Sequence, residues 1–347
     1  MQEDSEGFLY PVVNEEQCVG CGACEKVCPS LSAKEKRRPL KAFAAINKDE
    51  EVRLRSSSGG VFTLLAEKVF DQGGWVFGAR FNDSWEVVHD KTNRREELDF
   101  YRGSKYVQSR IGSCFAEAEK LLKEGRFVMF VGTPCQIAGL NRFLGKTYGQ
   151  LLTVDFICHG VPSPAVWRWY IQQKAREISL PRWLYHLLGW AIPIDVISGI
   201  EFRNKQKGWK KFQMLFKGKG SKGKACFHRE DSYMKAFLDN YDLRPSCYQC
   251  LCKEGRSHSD LTIADFWNVH KVIDDFDDDR GTSLVLVNTD KGYTWLDSIK
   301  GCRKASVPFE DAIQYNLAWS ESYAAHKRRG EFFAHYKKHL DTLLTTP

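Results

Sequence analysis

Long uninterrupted apolar runs are missing from this chain of 347 residues. The most apolar stretch, Trp183 to Ile200, is broken by His186, Pro193 and Asp195. It is a poor membrane span; a buried segment is expected, the other use being a partner- or membrane-facing hairpin. No cationic, apolar leader opens the sequence, because residues 1–7 are acidic and polar. Neither a G-x-G-x-x-G dinucleotide fingerprint nor a Walker loop occurs, and no internal repeat is visible. Twelve cysteines are too sparse for a disulfide scaffold and numerous for a cytosolic protein, so clusters explain them better than bridges. A reducing, cytoplasmic setting follows as an expectation. The net charge of +7 suits an acidic partner or anionic cofactor but is no nucleic-acid signature, and no nucleic-acid partner is expected. The basic run Lys217 to Lys224 alternates with Gly and Ser and reads as a solvated hairpin tip, and the acidic run Asp274 to Asp279 as a solvated loop.

What the chain does have is Gln17-Cys-Val-Gly-Cys-Gly-Ala-Cys-Glu-Lys-Val-Cys-Pro29. Cys18, Cys21, Cys24 and Cys28 stand at the C-x2-C-x2-C-x3-C-P spacing of bacterial 4Fe–4S ferredoxins. A cubane needs thiolates converging on separate irons, and the triple wraps a tight loop around three corners. Gly20 and Gly22 admit the backbone close to the sulfides, and Pro29 turns the chain away. Zinc sites show separated Cys/His pairs instead.

Beyond a basic connector, the chain alternates helix and strand. Strands are expected over residues 42–46, 75–81, 86–90, 126–131 and 151–157, and helices over 61–70, 112–124, 135–144 and 164–176. This rhythm argues for an α/β domain with several parallel strands. From Ile197 the pattern changes to hairpin strands (197–203, 210–217, 224–228), then a helix over 231–238, a strand over 283–288, a helix over 291–299 and a helical tail from Phe309. The fold class is mixed α/β: a ferredoxin-type module at 1–35, an α/β core at 36–180, and a hairpin and helical part at 181–347.

A second cysteine set is scattered. Cys135 and Cys158 both follow buried strands, and Cys247 and Cys250 form a C-x2-C pair. In a parallel sheet the carboxyl ends of strands carry the ligand-binding loops, so two thiols meeting at one rim, completed by the pair, would make four ligands. The alternative is two small buried residues and a zinc half-site. Cys114 reads as a helix-face residue, and Cys226, Cys252 and Cys302 carry no motif. Ser56-Ser-Ser-Gly-Gly60 before a helix offers hydroxyls, permissive glycines and free N–H groups suited to a pyrophosphate, or is merely a cap and turn. Arg102-Gly-Ser-Lys-Tyr-Val-Gln108 groups two cations and several donors around one glycine, or is a polar loop. His159, beside Cys158, is a candidate proton donor, or makes a structural hydrogen bond. Asp265-Phe-Trp267 lines a ring pocket or ends a core strand.

In this order, Cys18–Pro29, Ser57–Phe62, Arg102–Gln108, Gly132–Gly139, Asp155–Pro164, Arg244–Cys250 and Ser259–Trp267 resemble the family of coenzyme F-420 hydrogenase/dehydrogenase beta subunits. The resemblance implies FAD beside a 4Fe–4S cluster, and electron passage between iron–sulfur centres and a two-electron partner. That partner is F-420 in archaeal relatives, a chlorophyll derivative in plant relatives and unassigned in bacterial ones. It makes Cys135, Cys158, Cys247 and Cys250 ligands of the flavin-side cluster, and the 36–180 core a flavin domain. It makes Ser57, Ser58, Gly59, Gly60, Arg102, Gly103, Ser104, Lys105, Tyr106 and Gln108 FAD contacts, with Thr133 and Gln136 beside Cys135, and His159 and Lys105 the catalytic candidates. Bacterial members carry two cysteine motifs around a segment like Glu6-Gly-Phe-Leu-Tyr-Pro11. Here the first motif is absent, so 1–35 reads as the second half of a two-cluster module, and Cys28 would serve the missing cluster. An internal start is the expectation, the other reading being a natural module completed by Cys28 or a partner.

The expected function is a flavin- and iron–sulfur-dependent oxidoreductase with a redox partner protein, an unidentified small molecule and a possible homo-oligomeric state. The rivals are an electron-transfer subunit without its own substrate and a non-redox zinc-binding interaction protein.

Overall fold

The computed structural model describes residues 1–179, 193–220 and 223–345. Residues 183–192 of the apolar stretch and 221–222 of the basic run lie outside the described residues. In chain order the strands are β1 (Gln2–Glu3), β2 (Leu9–Tyr10), β3 (Lys41–Asn47), β4 (Trp75–Phe81), β5 (Val87–Thr92), β6 (Val128–Val131), β7 (Leu151–Phe156), β8 (Ile197–Asn204), β9 (Gln213–Gly218), β10 (Lys224–Phe227), β11 (Leu261–Asp265), β12 (Ser283–Val287) and β13 (Cys302–Val307). The α-helices are α1 (Ala23–Val27), α2 (Glu50–Arg55), α3 (Val61–Asp71), α4 (Leu98–Tyr101), α5 (Cys114–Lys123), α6 (Pro134–Leu144), α7 (Pro164–Ser179), α8 (Ser232–Leu238), α9 (Asp290–Ser298), α10 (Phe309–Ile313) and α11 (Arg329–Thr345).

One mixed sheet of eight strands runs β13-β3-β12-β11-β7-β6-β4-β5. Its centre, β4-β6-β7-β11, is parallel, with Val131 opposite Val154 and Val154 opposite Leu261. Val-Met-Phe-Val in β6 and Ser-Leu-Val-Leu-Val in β12 are near-continuous apolar runs because both faces are covered. Met129, Leu152, Val154 and Val285 pack with Leu65 of α3 and Leu296 of α9 on one face. Phe77, Val128 and Phe130 pack with Ala118 of α5 and Leu140 of α6 on the other. β11, β12 and β13 lie in the same sheet as β3 to β7, so a boundary near residue 180 cuts through one sheet. The segment beyond it adds the small antiparallel sheet β10-β9-β8, whose Phe202 and Phe216 pack with Trp167 of α7, Tyr233 of α8 and Tyr336 of α11. The charged edge strand β13 had no apolar alternation to announce it.

The acidic run is not a free loop. Asp278 holds the Arg53 guanidinium, itself 1% exposed, at 2.6 and 2.7 Å. Asp277 takes hydrogen bonds from Lys210 and His270 at 2.7 Å each. This lays residues 277–281 against the Ser56–Gly60 turn, where Gly281 leaves no room for a side chain: a Cβ there would stand 2.7 Å from the Ser58 carbonyl oxygen.

The first eleven residues also belong to the body. Phe8 is fully buried, Ser163 donates to the Glu6 carbonyl, Arg329 grips the Glu6 carboxylate, and Arg244 donates to the Leu9 carbonyl at 3.1 Å. Nearby, both carboxyl oxygens of Asp242 are buried without a hydrogen-bond partner, and burial pushes its pKa up to about 8. The folded protein therefore keeps a proton that the unfolded chain releases near pH 4. The neutral carboxyl's contribution is full below that pH, declines as pH rises through about 8, and is flat beyond. Asp242→Asn is expected to remove this decline and to gain on the wild type by about 3 kcal/mol between pH 5 and pH 8. Chemical denaturation at both pH values checks it.

Candidate functional site

The carboxyl ends of β6 and β7 open side by side onto one cavity of about 330 Å³, lined by Cys135, Cys158, Cys247, Cys250 and Cys252. Each thiol arrives by a separate route. After β6, Thr133 caps α6 in a complete capping box with Gln136, and Pro134 takes the first helical position. This fixes Cys135 in the first turn, at the positive end of the helix, with the Thr133 hydroxyl 3.0 Å from its sulfur. After β7 the chain delivers Cys158, His159 and Gly160. A Cβ on Gly160 would lie 2.8 Å from Leu243 Cδ1 and 3.3 Å from Cys247 Cβ, so glycine lets the Cys247–Cys252 loop fold onto the rim.

Protein crowding opposes charge on these sulfurs. Burial pushes Cys158 well above its ordinary value and Cys247 up to about 12, neighbouring thiols adding to both. Cys135 opens into the cavity yet lies deep enough to be raised as well. Cys250 is the exception: the Cys252 thiol hydrogen-bonds to it and lowers it, while Cys252 itself is raised. Neutral thiols of this kind ionise when a metal takes the proton's place, so loading the cavity releases protons. A single zinc ion would draw its sulfurs to roughly 2.3 Å from one point. Among the described residues no three His, Cys, Asp or Glu side chains converge on one point closely enough to hold a metal ion; the five cysteines line one cavity.

Sequence reasoning passed over Lys253. It is buried, and its ammonium donates to the carbonyls of Cys158 at 3.0 Å and Ala318 at 2.6 Å. The sequence puts Cys252 close enough to Cys250 to be confused with it as a ligand, and the structure hydrogen-bonds the two. His89 is a second omission: burial lowers it to about 4, and it lies 2.9 Å from Ser109 Oγ and 3.0 Å from the Val131 carbonyl. Gln136 completes this chain, donating to Ser109 at 2.8 Å and accepting from the Thr133 N–H at 2.9 Å. The Gln136 amide therefore positions the start of α6.

The two anion loops meet. Ser57 and Ser104 share a hydrogen bond of 2.8 Å, and Arg102 donates to Thr63, in the first turn of α3, at 2.9 Å. No side chain caps that helix. Ser58 donates to the Thr282 carbonyl and Gly59 N–H to Ser283; a Cβ on Gly59 would sit 2.3 Å from the Ala45 carbonyl oxygen, so packing alone demands this glycine. Gly60, at φ +84°, needs the left-handed conformation glycine allows. Gly103, also at positive φ, turns the second loop. The Lys105 ammonium donates back to the Arg102 and Gly103 carbonyls at 3.0 and 3.3 Å, and burial lowers it to about 7. Tyr106 is anchored by Arg203 and stacks on Phe237. Gln108 accepts from Arg244 at 3.3 Å and faces the thiol cavity. The loop thus spans from the start of α3 to the cavity. Beside it, Trp267 stacks on Trp209 at 4.7 Å, and Arg203 pairs with Asp265. His159 lines the cavity, but its Nε2 lies 2.7 Å from Asn240 Oδ1, its ring stacks on Tyr323, and burial lowers its pKa.

The N-terminal motif is displayed outward: Cys18, Cys21 and Cys24 are exposed and Cys28 half-buried. Gly20 and Gly22 both take φ +65°, the conformation the tight loop requires. Arg142, one turn from the end of α6, donates to the carbonyls of Cys28 at 2.5 Å and Ser32 at 2.6 Å. Pro29 and Ser30 reach the thiol cavity. The same helix that carries Cys135 at its start therefore holds the other cysteine run near its end.

Known proteins resemble this chain in parts of its sequence and in its fold. The family model for the carboxyl-terminal part of the coenzyme F420 hydrogenase/dehydrogenase beta subunit matches residues 125–307, and a 4Fe–4S binding domain matches residues 11–31. A component of the F(420)H(2) dehydrogenase of Methanosarcina mazei is 29% identical over 148 residues, covering 41% of this chain and 41% of the relative's own length. A chain in a solved structure of the F-420-reducing NiFe hydrogenase complex from Methanosarcina barkeri superposes with a TM-score of 0.50 at 16% identity, over 80% of this chain and 85% of that one. At that identity the likeness speaks for the fold.

Proposed function

Because the chain belongs to the family of coenzyme F-420 hydrogenase/dehydrogenase beta subunits and carries a 4Fe–4S binding domain, we propose that it is an iron–sulfur flavoprotein oxidoreductase. The observation that carries the proposal is the joining of three sites. The exposed cysteine run is clamped to α6 by Arg142, the thiol cavity lies at the other end of α6, and the loop from Arg102 to Gln108 leads from that cavity to the start of α3.

The donor chemistry fits the implied groups. Thiolate is the ligand of iron–sulfur clusters; Cys135, Cys158, Cys247 and Cys250 would hold the second cluster, and Cys18, Cys21 and Cys24 the first, completed by Cys28 as in the reading of a self-contained module. An uncapped helix start beside Arg102, Ser57 and Ser104 suits the pyrophosphate of FAD. Bound flavin exchanges single electrons with an iron–sulfur centre and a hydride equivalent with an organic partner. Arg102 orients the anion, Lys105 holds its own loop closed, Gln136 fixes the first turn of α6, and Trp267 offers an aromatic face. His159, neutral and tied to Asn240, orients the Cys158 turn.

The organic partner is a small molecule that takes or gives two electrons, F-420-like or other. A protein partner is favoured by the exposure of the first motif, where Val19 is 87% exposed; this also supports the second reading, an electron-transfer subunit without its own substrate. Among the described residues no helix is long and apolar enough to cross a membrane. The reducing, cytoplasmic setting belongs to the same proposal. Denatured wild-type protein is expected to release one FAD per chain, and Arg102→Ala to weaken FAD binding at least tenfold, a loss of about 1.4 kcal/mol. Wild type that takes up no FAD after anaerobic reconstitution would exclude the flavin reading.

A further inference from the structure

We infer that Lys253 supplies the buried positive charge that sets the reduction potential of the cluster held by Cys135, Cys158, Cys247 and Cys250. The inference rests on the cluster reading above. Lys253 is 6% exposed. Its ammonium is held by two carbonyls from separate segments, those of Cys158 and Ala318, so its position is fixed. Burial lowers the Lys253 ammonium from its ordinary value, and the anion-forming groups that oppose this are Cys158, Cys250, Cys247 and, from the segment after α10, Glu321. Three of the four are thiols of the cavity, and Glu321 is exposed. A buried charge is costly unless compensated. The compensating charge here is that of metal-bound thiolates, which are deprotonated outright.

The functional consequence is a matter of sign. Reduction adds one negative charge to a cluster already carrying the charge of its thiolates. A fixed cation beside three of the four ligands stabilises the reduced form more than the oxidised one and raises the potential. Burial leaves little solvent to screen the effect. Net charge, hydrogen bonds to the sulfurs and exposure are the protein's means of tuning such clusters. Lys253 uses the first: two of its three ammonium hydrogens are directed at carbonyls and not at sulfur. Lys253 is a positioning residue in charge, acting through the ligands and touching no substrate.

The test is an anaerobic redox titration followed by electron paramagnetic resonance on wild type, Lys253→Gln and Lys253→Arg, with iron and sulfide counted for each. Gln keeps hydrogen-bond donors and removes the charge; Arg keeps the charge. In Lys253→Gln one of the two cluster signals is expected to move to lower potential by at least tenfold in the one-electron equilibrium, about 59 mV. The signal of the N-terminal cluster stays in place as an internal control, and Lys253→Arg stays near wild type. A fully loaded Lys253→Gln with unmoved potentials overturns the inference. Should Lys253→Gln lose the cluster, retention by Lys253→Arg supports the charge and loss from both overturns it. A wild type lacking the second signal overturns the cluster reading itself, a distinct result.

Discussion

Cys158→Ala, purified without oxygen, is expected to lose about half of the protein's iron and acid-labile sulfide, about four of each per chain. Cys158 is the thiol most surrounded by the others: Cys247, Cys135 and Cys250 all bear on it electrostatically. Its carbonyl holds the Lys253 ammonium, so the same turn sets both ligand and counter-charge. Replacing a ligand leaves a cubane with an open iron in a cavity that offers Cys252 as the nearest spare sulfur, itself hydrogen-bonded to Cys250. The control is Cys114→Ala. That thiol is buried on α5 among Phe77 and Phe130, and its loss is expected to leave iron unchanged. Iron and sulfide assays on both variants decide the matter. Equal iron in Cys158→Ala and wild type would remove Cys158 from the ligand set.

Arg142→Ala is expected to keep both clusters and lose fast transfer between them. The guanidinium makes two hydrogen bonds, to the carbonyls of Cys28 and Ser32. Charge-assisted bonds contribute about 1.5–3 kcal/mol each when buried, and less at this partly exposed site. Other contacts remain. Arg37 donates to the Ser259 carbonyl, Lys36 pairs with Glu254 at 2.7 Å, and the Glu6–Phe8 segment stays docked. The variant therefore folds, but the cysteine run detaches from α6 for part of the time. Once the detached state predominates, transfer is expected to slow by about tenfold for every further 1.4 kcal/mol of docking lost. Rapid mixing with a reduced ferredoxin-type donor, monitored at the flavin, measures this. A rate equal to wild type would mean that electrons enter by another route.

Much of this arrangement was legible because it is local. The C-x2-C-x2-C-x3-C-P run is readable since its cysteines lie within eleven residues of one another, and β6 and β7 are readable because burial on two faces makes them continuously apolar. Their shared rim then followed from the rule for parallel strands, and Cys135 and Cys158 do stand there. What stayed hidden depends on distant pairs. Arg53 meets Asp278 225 residues away, which turns a run of acids that looks solvated into a clamp. Gly59 resembled a phosphate-permissive glycine, yet its need for no side chain arises from the Ala45 carbonyl of β3. Gln136 looked like a cofactor contact, but both ends of its amide are engaged by Thr133 and Ser109. Lys253 is an ordinary lysine in the sequence; only the folding of residues 247–253 over the rim places its ammonium among the thiols.

The central claim is that the cavity thiols hold an iron–sulfur cluster coupled to a flavin. The most direct measurement is the metal and cofactor content of anaerobically purified protein: iron, sulfide, zinc and flavin per chain, with the ultraviolet-visible spectrum. Two clusters and a flavin predict about eight irons, about eight sulfides and one FAD, with charge-transfer and flavin bands in one spectrum. Zinc bound to the cavity cysteines in a colourless, flavin-free protein would contradict the account.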